Sequence, residues 1–305
     1  MAENAIEIRS LRFGFGRNPI LDGLSLEVPK GTIFGFLGQN GAGKTTTLRL
    51  LTGLLAAPNE TLFIDGKELN NNRTELMSVM GSLIGTPSAY PKMTAHQHMK
   101  YWCKLYRIDK TRADELLAKV SLWKDRNKKL KNFSTGMIQR LNIAYILLRN
   151  PRIILLDEPF NGLDPEGVFL LKNILTQWHS EEKTILCSSH ILSEMEQFCS
   201  HIAFIDGGKI RYQGSLDNLL KDKENQKREL VVVVDQVERA TQLLSEASFE
   251  VRVENNTCFI PFISAQELTA ILQLFITHSI LIESVNEQKN SLEARYINLL
   301  NSTKE

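Results

Sequence analysis

The residues best suited to chemistry form one short run, GQNGAGKT at positions 38–45. The apolar stretch at 32–37 predicts a buried strand before this run, and the residues after Lys44 predict a helix. Glycines let the backbone curl until several N–H groups face one anion, and the helix N-terminus adds its dipole. Lys44 would place a positive charge on the β- and γ-phosphates, and the Thr45 hydroxyl would ligate Mg²⁺. The run therefore predicts a nucleoside triphosphate site, formed by Gly38, Asn40, Gly41, Gly43, Lys44, Thr45 and Thr46.

A second candidate site follows the apolar stretch at 152–156, which ends in Asp157-Glu158. Ligands of α/β sheets bind at the carboxyl ends of such strands. In phosphate-loop enzymes Asp157 would hold Mg²⁺ or its water, and Glu158 could orient or deprotonate the attacking water. His190 closes another apolar stretch at 184–188. A lone histidine there is usually structural, but a γ-phosphate contact is also consistent with this position.

Two further features allow both an ordinary and a functional interpretation. Phe13 or Phe15 lies near the Gly16 turn, either as a core aromatic or as a flat platform for a nucleotide base. Ser134 is a good helix N-cap with Gly136 two residues on, which suits an ordinary helix start or an anion site.

The rest of the first two-thirds of the chain alternates short strands with helices. Residues 5–30 predict short strands joined by hairpins, and residues 67–80 predict a polar helix. From Thr94 to Lys131 the apolar spacing predicts a helical insert. Four aromatics, Tyr90, Tyr101, Trp102 and Tyr106, either pack the insert or line a groove between the insert and the segment after Gly85, in which a partner protein docks.

A polar run at 221–229 interrupts this pattern and predicts a linker. Beyond it, the order βαββαβ predicts a small α+β domain of the ferredoxin-like type. We therefore expect a nucleotide-binding domain at 1–220 and an accessory domain at 230–305.

Composition narrows the class of protein. Lys and Arg number 36 against 35 Asp and Glu, so no overall field favours nucleic acid or anionic lipid, and no nucleic-acid partner is expected. The four cysteines lack the spacing of a metal site. No signal peptide and no stretch of 18 apolar residues is present, which predicts a cytosolic protein that does not itself cross a membrane.

Together these motifs resemble the ATP-binding subunit of ABC transporters over about residues 5–220. The resemblance makes 38–45 the Walker A loop and IILLDE at 153–158 the Walker B strand. It further equates Phe15 with the adenine-stacking aromatic, Phe133–Met137 with the LSGGQ signature, Asn161–Pro165 with the D-loop and His190 with the switch histidine.

The resemblance implies an α/β P-loop NTPase fold with an antiparallel β subdomain and a helical insert. It implies ATP and Mg²⁺ as cofactors, with ATP held between the Walker A loop of one chain and Ser134 and Gly136 of a second. Asp164 of the D-loop is a further nucleotide-binding residue that it implies. The partners it implies are a homodimer, or a related subunit, and a separate membrane permease that would keep the chain at the cytoplasmic face of the membrane. The pattern FSxGMxQRLxIA is most similar to ATPases of bacitracin- and lantibiotic-resistance exporters, implying export of peptide antibiotics, drugs or lipids.

Two departures from the family pattern stand out. The signature reads FSTGM, without one glycine and the glutamine, although Ser134 and Gly136 remain. Gly85 falls where the family has a Gln or Glu that contacts Mg²⁺ or water, and glycine offers no such group. We therefore expect slow hydrolysis. An alternative class is a nucleotide-gated regulatory subunit with little hydrolysis.

Overall fold

The computed structural model describes residues 3–85, 90–221, 228–262, 264–288 and 291–301. The chain divides into two compact units between Leu216 and Asp217. The linker predicted at 221–229 falls largely on 222–227, which lie outside the described residues, so the predicted domain limits stay a prediction.

A six-stranded sheet forms the centre of the first unit, in the order β10-β9-β3-β8-β7-β6. All neighbouring strands are parallel except β10 and β9, because β10 returns from β9 through a hairpin. Strands β3, β7 and β8 are buried along their length except at Asp157, as strands covered on both faces must be. The strands of this sheet are β3 Ile33–Leu37, β6 Met80–Leu83, β7 Ile153–Asp157, β8 Thr184–Ser189, β9 His201–Asp206 and β10 Lys209–Ser215.

A second, antiparallel sheet of four strands has the order β2-β1-β4-β5. One hydrophobic cluster joins both sheets and the first helix, with Ile6 and Leu26 on one side and Leu48, Leu155 and Leu186 on the other. This sheet is the antiparallel subdomain predicted from the hairpins at 5–30. Its strands are β1 Asn4–Phe15, β2 Asn18–Pro29, β4 Leu62–Ile64 and β5 Lys67–Glu68.

The helices of the first unit include the predicted helical insert, α3 to α5. The helix predicted at 67–80 is partly wrong: residues 67 and 68 form β5, and Met80 begins β6. Side-chain amides of Asn70 and Asn72 bond to the carbonyls of Ala57 and Glu68, holding this stretch in a turn. The helices are α1 Lys44–Leu51, α2 Arg73–Val79, α3 Ala95–Tyr106, α4 Thr111–Lys119, a 3₁₀ turn at Leu130–Asn132, α5 Thr135–Leu147, α6 Pro165–Ser180 and α7 Leu192–Glu196. A further helix, α8 Leu216–Lys221, begins at the last residue of the first unit and continues in the second.

The second unit has the predicted βαββαβ order, and its sheet runs β12-β13-β11-β14 with every neighbouring pair antiparallel. This is the ferredoxin-like arrangement. Buried side chains on one face of the sheet, such as Val232 and Ile260, pack with Leu244 and Phe275 of its helices. The elements are β11 Arg228–Val234, α9 Val237–Glu246, β12 Arg252–Glu254, β13 Thr257–Phe262, α10 Ala265–Thr277, β14 Ile282–Gln288 and α11 Leu292–Asn301.

None of the helices in the described ranges has the length and apolar character needed to span a bilayer.

Candidate functional site

The phosphate-binding loop joins β3 to α1, and three of its glycines are required by the backbone. Gly41 and Gly43 have φ values of 86° and 111°, a region that other residues rarely adopt. A Cβ on Gly38 would lie 2.3 Å from the Ile205 carbonyl oxygen. The loop is therefore curled as an anion cradle requires.

The Lys44 side chain is buried beneath this loop and reaches back to its first two residues. Its Nζ donates to the carbonyl oxygens of Gly38 and Gln39 at 2.7 and 3.2 Å. The same nitrogen lies 3.2 Å from Glu158 Oε1, an ion-pair distance. The lysine thus links the loop to the carboxylate at the end of β7.

The loop, α1 and Glu158 together enclose a cavity of about 220 Å³. Six of the seven predicted phosphate-site residues line it, and Gly38 lies at the base of the loop against Ile205. The lining residues are Ile20, Asn40, Gly41, Gly43, Lys44, Thr45, Thr46 and Glu158.

The two candidate metal ligands meet at the edge of this cavity. Thr45 Oγ1 donates to Asp157 Oδ1 at 3.1 Å. A hydroxyl and a carboxylate are hard oxygen donors of the kind that Mg²⁺ prefers, so these two side chains fit a magnesium site. Sequence reasoning missed Ser188, whose Oγ donates to the same Asp157 oxygen at 2.7 Å.

Ser188 is placed by sheet register, since it pairs directly with Asp157 across β7 and β8. Its Oγ also accepts from the Glu158 backbone N–H at 3.0 Å. One hydroxyl therefore holds both acidic residues. The signal available in the sequence was a serine at the end of the neighbouring buried strand.

Glu158 and His190 form the second pair of functional side chains. His190 Nδ1 lies 2.8 Å from Glu158 Oε2, within hydrogen-bond distance. Glu158 has a φ of 48°, an uncommon conformation for a residue with a side chain. Such backbone strain costs about 1 kcal/mol or more and concentrates at functional sites. Here it sets the carboxylate between Lys44 and His190.

The signature residues lie elsewhere on the surface. Ser134 caps α5, its Oγ accepting from Met137 N at 3.3 Å, and Gly136 follows in the first turn. Asp164 caps α6 in the same way through Gly167 N at 2.8 Å. None of these three residues lines the phosphate cavity of this chain.

The start of α5 is fastened to the loop that follows Glu158. Gln139 Nε2 donates to the Pro159 carbonyl at 3.0 Å. The Thr135 methyl lies 3.2 Å from the position of a Cβ on Gly162. The signature helix and the loop after the Walker B strand therefore form one packed unit.

The structure distinguishes the two candidate aromatics. Phe13 is half-buried, whereas Phe15 is 51% exposed and meets Phe13 edge-on at a centroid distance of 5.3 Å. Ile20, two residues into β2, lines the phosphate cavity, so this hairpin adjoins it. Of the two aromatics, Phe15 is therefore the more accessible to a base.

Gly85 follows β6 at the same sheet edge. It is exposed, has a φ of 72°, and has no atom within 4 Å of where a Cβ would lie. Residues 86–89, whose Thr86-Pro87 supports the alignment of this position, lie outside the described residues.

A groove of about 220 Å³ runs between the helical insert and β6. Tyr106 and Tyr145 share a hydrogen bond of 2.8 Å between their hydroxyls, and the Arg149 guanidinium lies 5.1 Å from the Tyr106 ring. Burial raises the pKa of Tyr145, so this phenol stays protonated. The groove is lined by Thr52, Leu54, Met77, Met80, Gly81, Ser82, Tyr106, Tyr145, Ile146 and Arg149.

Comparisons with known proteins agree with this geometry. Residues 21–161 match the family model of the ABC transporter. The chain is 34% identical to the bacitracin transport ATP-binding protein BcrA of Bacillus licheniformis, over 94% of both chains. It is 38% identical to the lantibiotic transport ATP-binding protein SrtF of Streptococcus pyogenes, over 72% of this chain and 96% of that protein.

A solved structure of an ATP-binding subunit of an ABC transporter superposes with a TM-score of 0.64, at 26% identity, covering 70% of this chain and 91% of that one. The P-loop fold, the phosphate cavity and these relatives together show that the chain belongs to the ATP-binding proteins of ABC transporters.

Proposed function

We propose that this chain hydrolyses ATP to energise a separate membrane permease that exports peptide antibiotics, drugs or lipids. The observation that carries the proposal is the cavity in which Lys44, Thr45 and Glu158 converge. Similarity to the bacitracin and lantibiotic transport proteins supports export of peptides among these cargoes.

The proposed division of labour follows from the contacts. The loop N–H groups and Lys44 bind the β- and γ-phosphates, while Thr45 and Asp157 hold Mg²⁺, which neutralises phosphate charge when bound. Phe15 stacks on the adenine ring. The Ser188 bond fixes the Asp157 carboxylate in the orientation that a metal ligand requires.

Glu158 and His190 are proposed to act on the attacking water. Glu158 orients the water and accepts its proton as the oxygen bonds to the γ-phosphorus and the bond to ADP breaks. His190, held by Glu158, contacts the γ-phosphate. A positioned general base contributes roughly 10²–10⁴-fold in rate, so we expect a loss of this size in the hydrolysis rate when the Glu158 carboxylate is removed.

A second copy, or a related subunit, is proposed to complete the site. Ser134 and Gly136 lie at a helix N-terminus, where backbone N–H groups favour an anion, yet they are absent from the cavity of their own chain. A head-to-tail pair would bring them, and Asp164, to the ATP of the other chain.

The test is Glu158→Gln, which keeps the shape of the side chain and removes its basicity. We expect this variant to bind Mg-ATP and elute as a dimer in size-exclusion chromatography. Glu182→Gln is the matched control, because Glu182 is also a glutamate at positive φ but lies outside the cavity. A variant that binds ATP yet stays monomeric at tens of micromolar would contradict the two-chain site.

The permease is proposed to dock in the groove between the insert and β6. The groove is apolar at Leu54 and Met80 and cationic at Arg149, and β6 leads from it directly to Gly85. A movement in the groove would therefore reach the edge of the phosphate site. The proposed location is the inner face of the cell membrane, held there by the permease.

A photo-crosslinker in place of Leu54, which is 66% exposed, tests this docking. In the assembled transporter we expect it to capture the permease. Capture of the permease only from the second unit, for example from Ile276, would show that the groove is not the docking site.

The alternative class, a nucleotide-gated regulatory subunit, is favoured by one observation, the absence of a side chain at Gly85. The linked pair of Glu158 and His190 favours hydrolysis instead. Steady-state ATPase assays with and without the permease separate the two, since a regulatory subunit would remain slow in both.

A further inference from the structure

One residue beside the phosphate site has no part in the proposed function, and this is Ser189, the last residue of β8. Its side chain is 1% exposed. Successive side chains of a strand point to opposite faces of the sheet, so Ser189 faces away from the Asp157 carboxylate that Ser188 contacts. A buried hydroxyl is normally hydrogen-bonded, which raises the question of what Ser189 holds.

The partner of the Ser189 hydroxyl is the backbone two residues further on. Ile191 N donates to Ser189 Oγ at 2.9 Å, and the hydroxyl lies 3.4 Å from the Ile191 carbonyl oxygen, to which it can donate. These contacts close a turn whose middle residue is His190. A serine hydroxyl bonded to its own backbone in this way restrains the residue between the two ends.

The His190 side chain depends on this restraint. It is 37% exposed, so packing holds it only weakly, and its Nδ1 lies 2.8 Å from Glu158 Oε2. Ile191, the N-cap residue of α7, has no side-chain cap bond. The Ser189 hydroxyl therefore ties the chain before α7 back to β8 and fixes the direction in which the imidazole leaves the backbone.

The backbone of Ser189 joins the same turn to the phosphate loop. Ser189 pairs with Leu37 across β8 and β3, and its carbonyl accepts from Gly38 N at 3.3 Å. The Gly38 carbonyl in turn accepts from Lys44 Nζ. One residue thus connects the loop that carries Lys44 with the turn that carries His190.

We infer that Ser189 is a positioning residue, which holds the His190 imidazole where the γ-phosphate binds. This assignment rests on the proposed function, in which His190 makes that contact. Ser189 itself does not line the phosphate cavity. A displaced imidazole weakens a contact that acts in the transition state, so the hydrolysis rate should fall while ATP affinity stays the same.

Ser189→Ala tests this separation of rate from affinity. We expect the hydrolysis rate to fall roughly tenfold, because a misplaced group loses much of its effect, with ATP affinity within about twofold of the parent. Ser200→Ala is the matched control, since the Ser200 hydroxyl also bonds to backbone, at the Ile33 carbonyl, but lies at the opposite end of the sheet. An unchanged rate in Ser189→Ala, or an equal loss of rate and affinity, would overturn the assignment.

A double-mutant cycle shows whether Ser189 acts through His190. If it does, the chain with both Ser189→Ala and His190→Ala should hydrolyse ATP as slowly as the chain with His190→Ala alone. A role of Ser189 that is independent of the imidazole would multiply the two losses, and this result would also overturn the assignment.

Nitrogen NMR of the imidazoles tests the geometry without any hydrolysis. The chain has six histidines, and the His190 signals are those that disappear in His190→Ala. In the parent, the contact with Glu158 should fix the proton on Nδ1. In Ser189→Ala, the Nδ1 and Nε2 signals should move toward each other as both tautomers form, whereas Ser200→Ala should leave them in place.

Unchanged His190 signals in Ser189→Ala would overturn the assignment even in a chain that hydrolyses ATP. Altered signals in a chain without hydrolysis would instead support the positioning of the imidazole and contradict the proposed function. Melting temperature and ATP affinity, measured on each variant, show whether it is folded. If Ser189→Ala does not fold, Ser189→Cys serves in its place, because a thiol of similar volume accepts hydrogen bonds only weakly.

Discussion

Two neighbouring strands of the central sheet, β6 and β7, end at the same edge and end very differently. β7 ends in Asp157, whose carboxylate accepts hydrogen bonds from Thr45 and Ser188. Glu158 follows, and its carboxylate lies between Lys44 and His190. β6 leads to Gly85, which has open space where a Cβ would lie.

In the proposed mechanism, this difference separates two tasks of one sheet edge, which are binding of ATP and positioning of the attacking water. The end of β7 contains groups that we propose hold a triphosphate and its metal, and these groups are interlocked by hydrogen bonds. Gly85, just beyond β6, has no side chain, so in the proposed mechanism it adds nothing to binding and leaves the attacking water with one contact fewer. ATP affinity and turnover should therefore respond to different substitutions.

The largest expected effect, a loss of ATP affinity, comes from removing Lys44, the cation beside the end of β7. Lys44→Ala should lower ATP affinity at least a hundredfold, because a buried charge-assisted contact to phosphate is lost and Glu158 is left without its positive neighbour. Titration with a fluorescent ATP analogue measures this. Affinity within threefold of the parent would show that the cavity does not bind the phosphates.

His190→Ala should affect turnover and not binding. We expect the hydrolysis rate to fall roughly a hundredfold, since a positioned group near the γ-phosphate is removed. His179→Ala is the control, a histidine exposed at the end of α6. An equal fall in ATP affinity would place His190 among the binding groups instead.

Ser188→Ala should act through the metal. Without its hydroxyl, Asp157 loses the 2.7 Å donor that orients it, and the Mg²⁺ concentration for half-maximal rate should rise about tenfold. Ser82→Ala, an exposed serine on β6, should leave this concentration unchanged. An unaltered Mg²⁺ dependence in Ser188→Ala would limit the serine to a packing role.

The smallest expected effect, on the hydrolysis rate, comes from adding a side chain at Gly85, which follows β6. Gly85→Gln should raise the hydrolysis rate a few-fold with ATP affinity unchanged. Because Gly85 has a φ of 72°, any side chain there should cost about 1 kcal/mol of stability. Gly85→Ala carries the same strain without the amide. Equal rates for the two variants would show that the glycine is not the missing contact.

The phosphate site could be predicted because its signal is local. Gly41 and Gly43 are needed by backbone angles within the loop itself, and Lys44 follows them directly. The same holds for Ser134, whose N-cap bond reaches only to Met137. Interactions within four residues leave a readable pattern in sequence.

Ser188 could not be predicted in the same way. Its role depends on the pairing of β7 with β8, which places it opposite Asp157, 31 residues away. The hydroxyl contact between Tyr106 and Tyr145 is equally non-local. The error at 67–80 has another cause, because the amides of Asn70 and Asn72 compete with helix formation through bonds that periodicity does not register.

The hydrogen bond from Gln139 to the Pro159 carbonyl has a consequence for the order in which the two ATP sites of the proposed pair act. In the proposed pair of chains, the start of α5 contacts the ATP bound to the partner. Gln139, on the same helix, donates a hydrogen bond to the backbone carbonyl of Pro159, the residue after this chain's own Glu158. Cleavage at one ATP would then shift the helix that serves the other. The two ATP sites of the pair would then hydrolyse ATP alternately and not independently of each other.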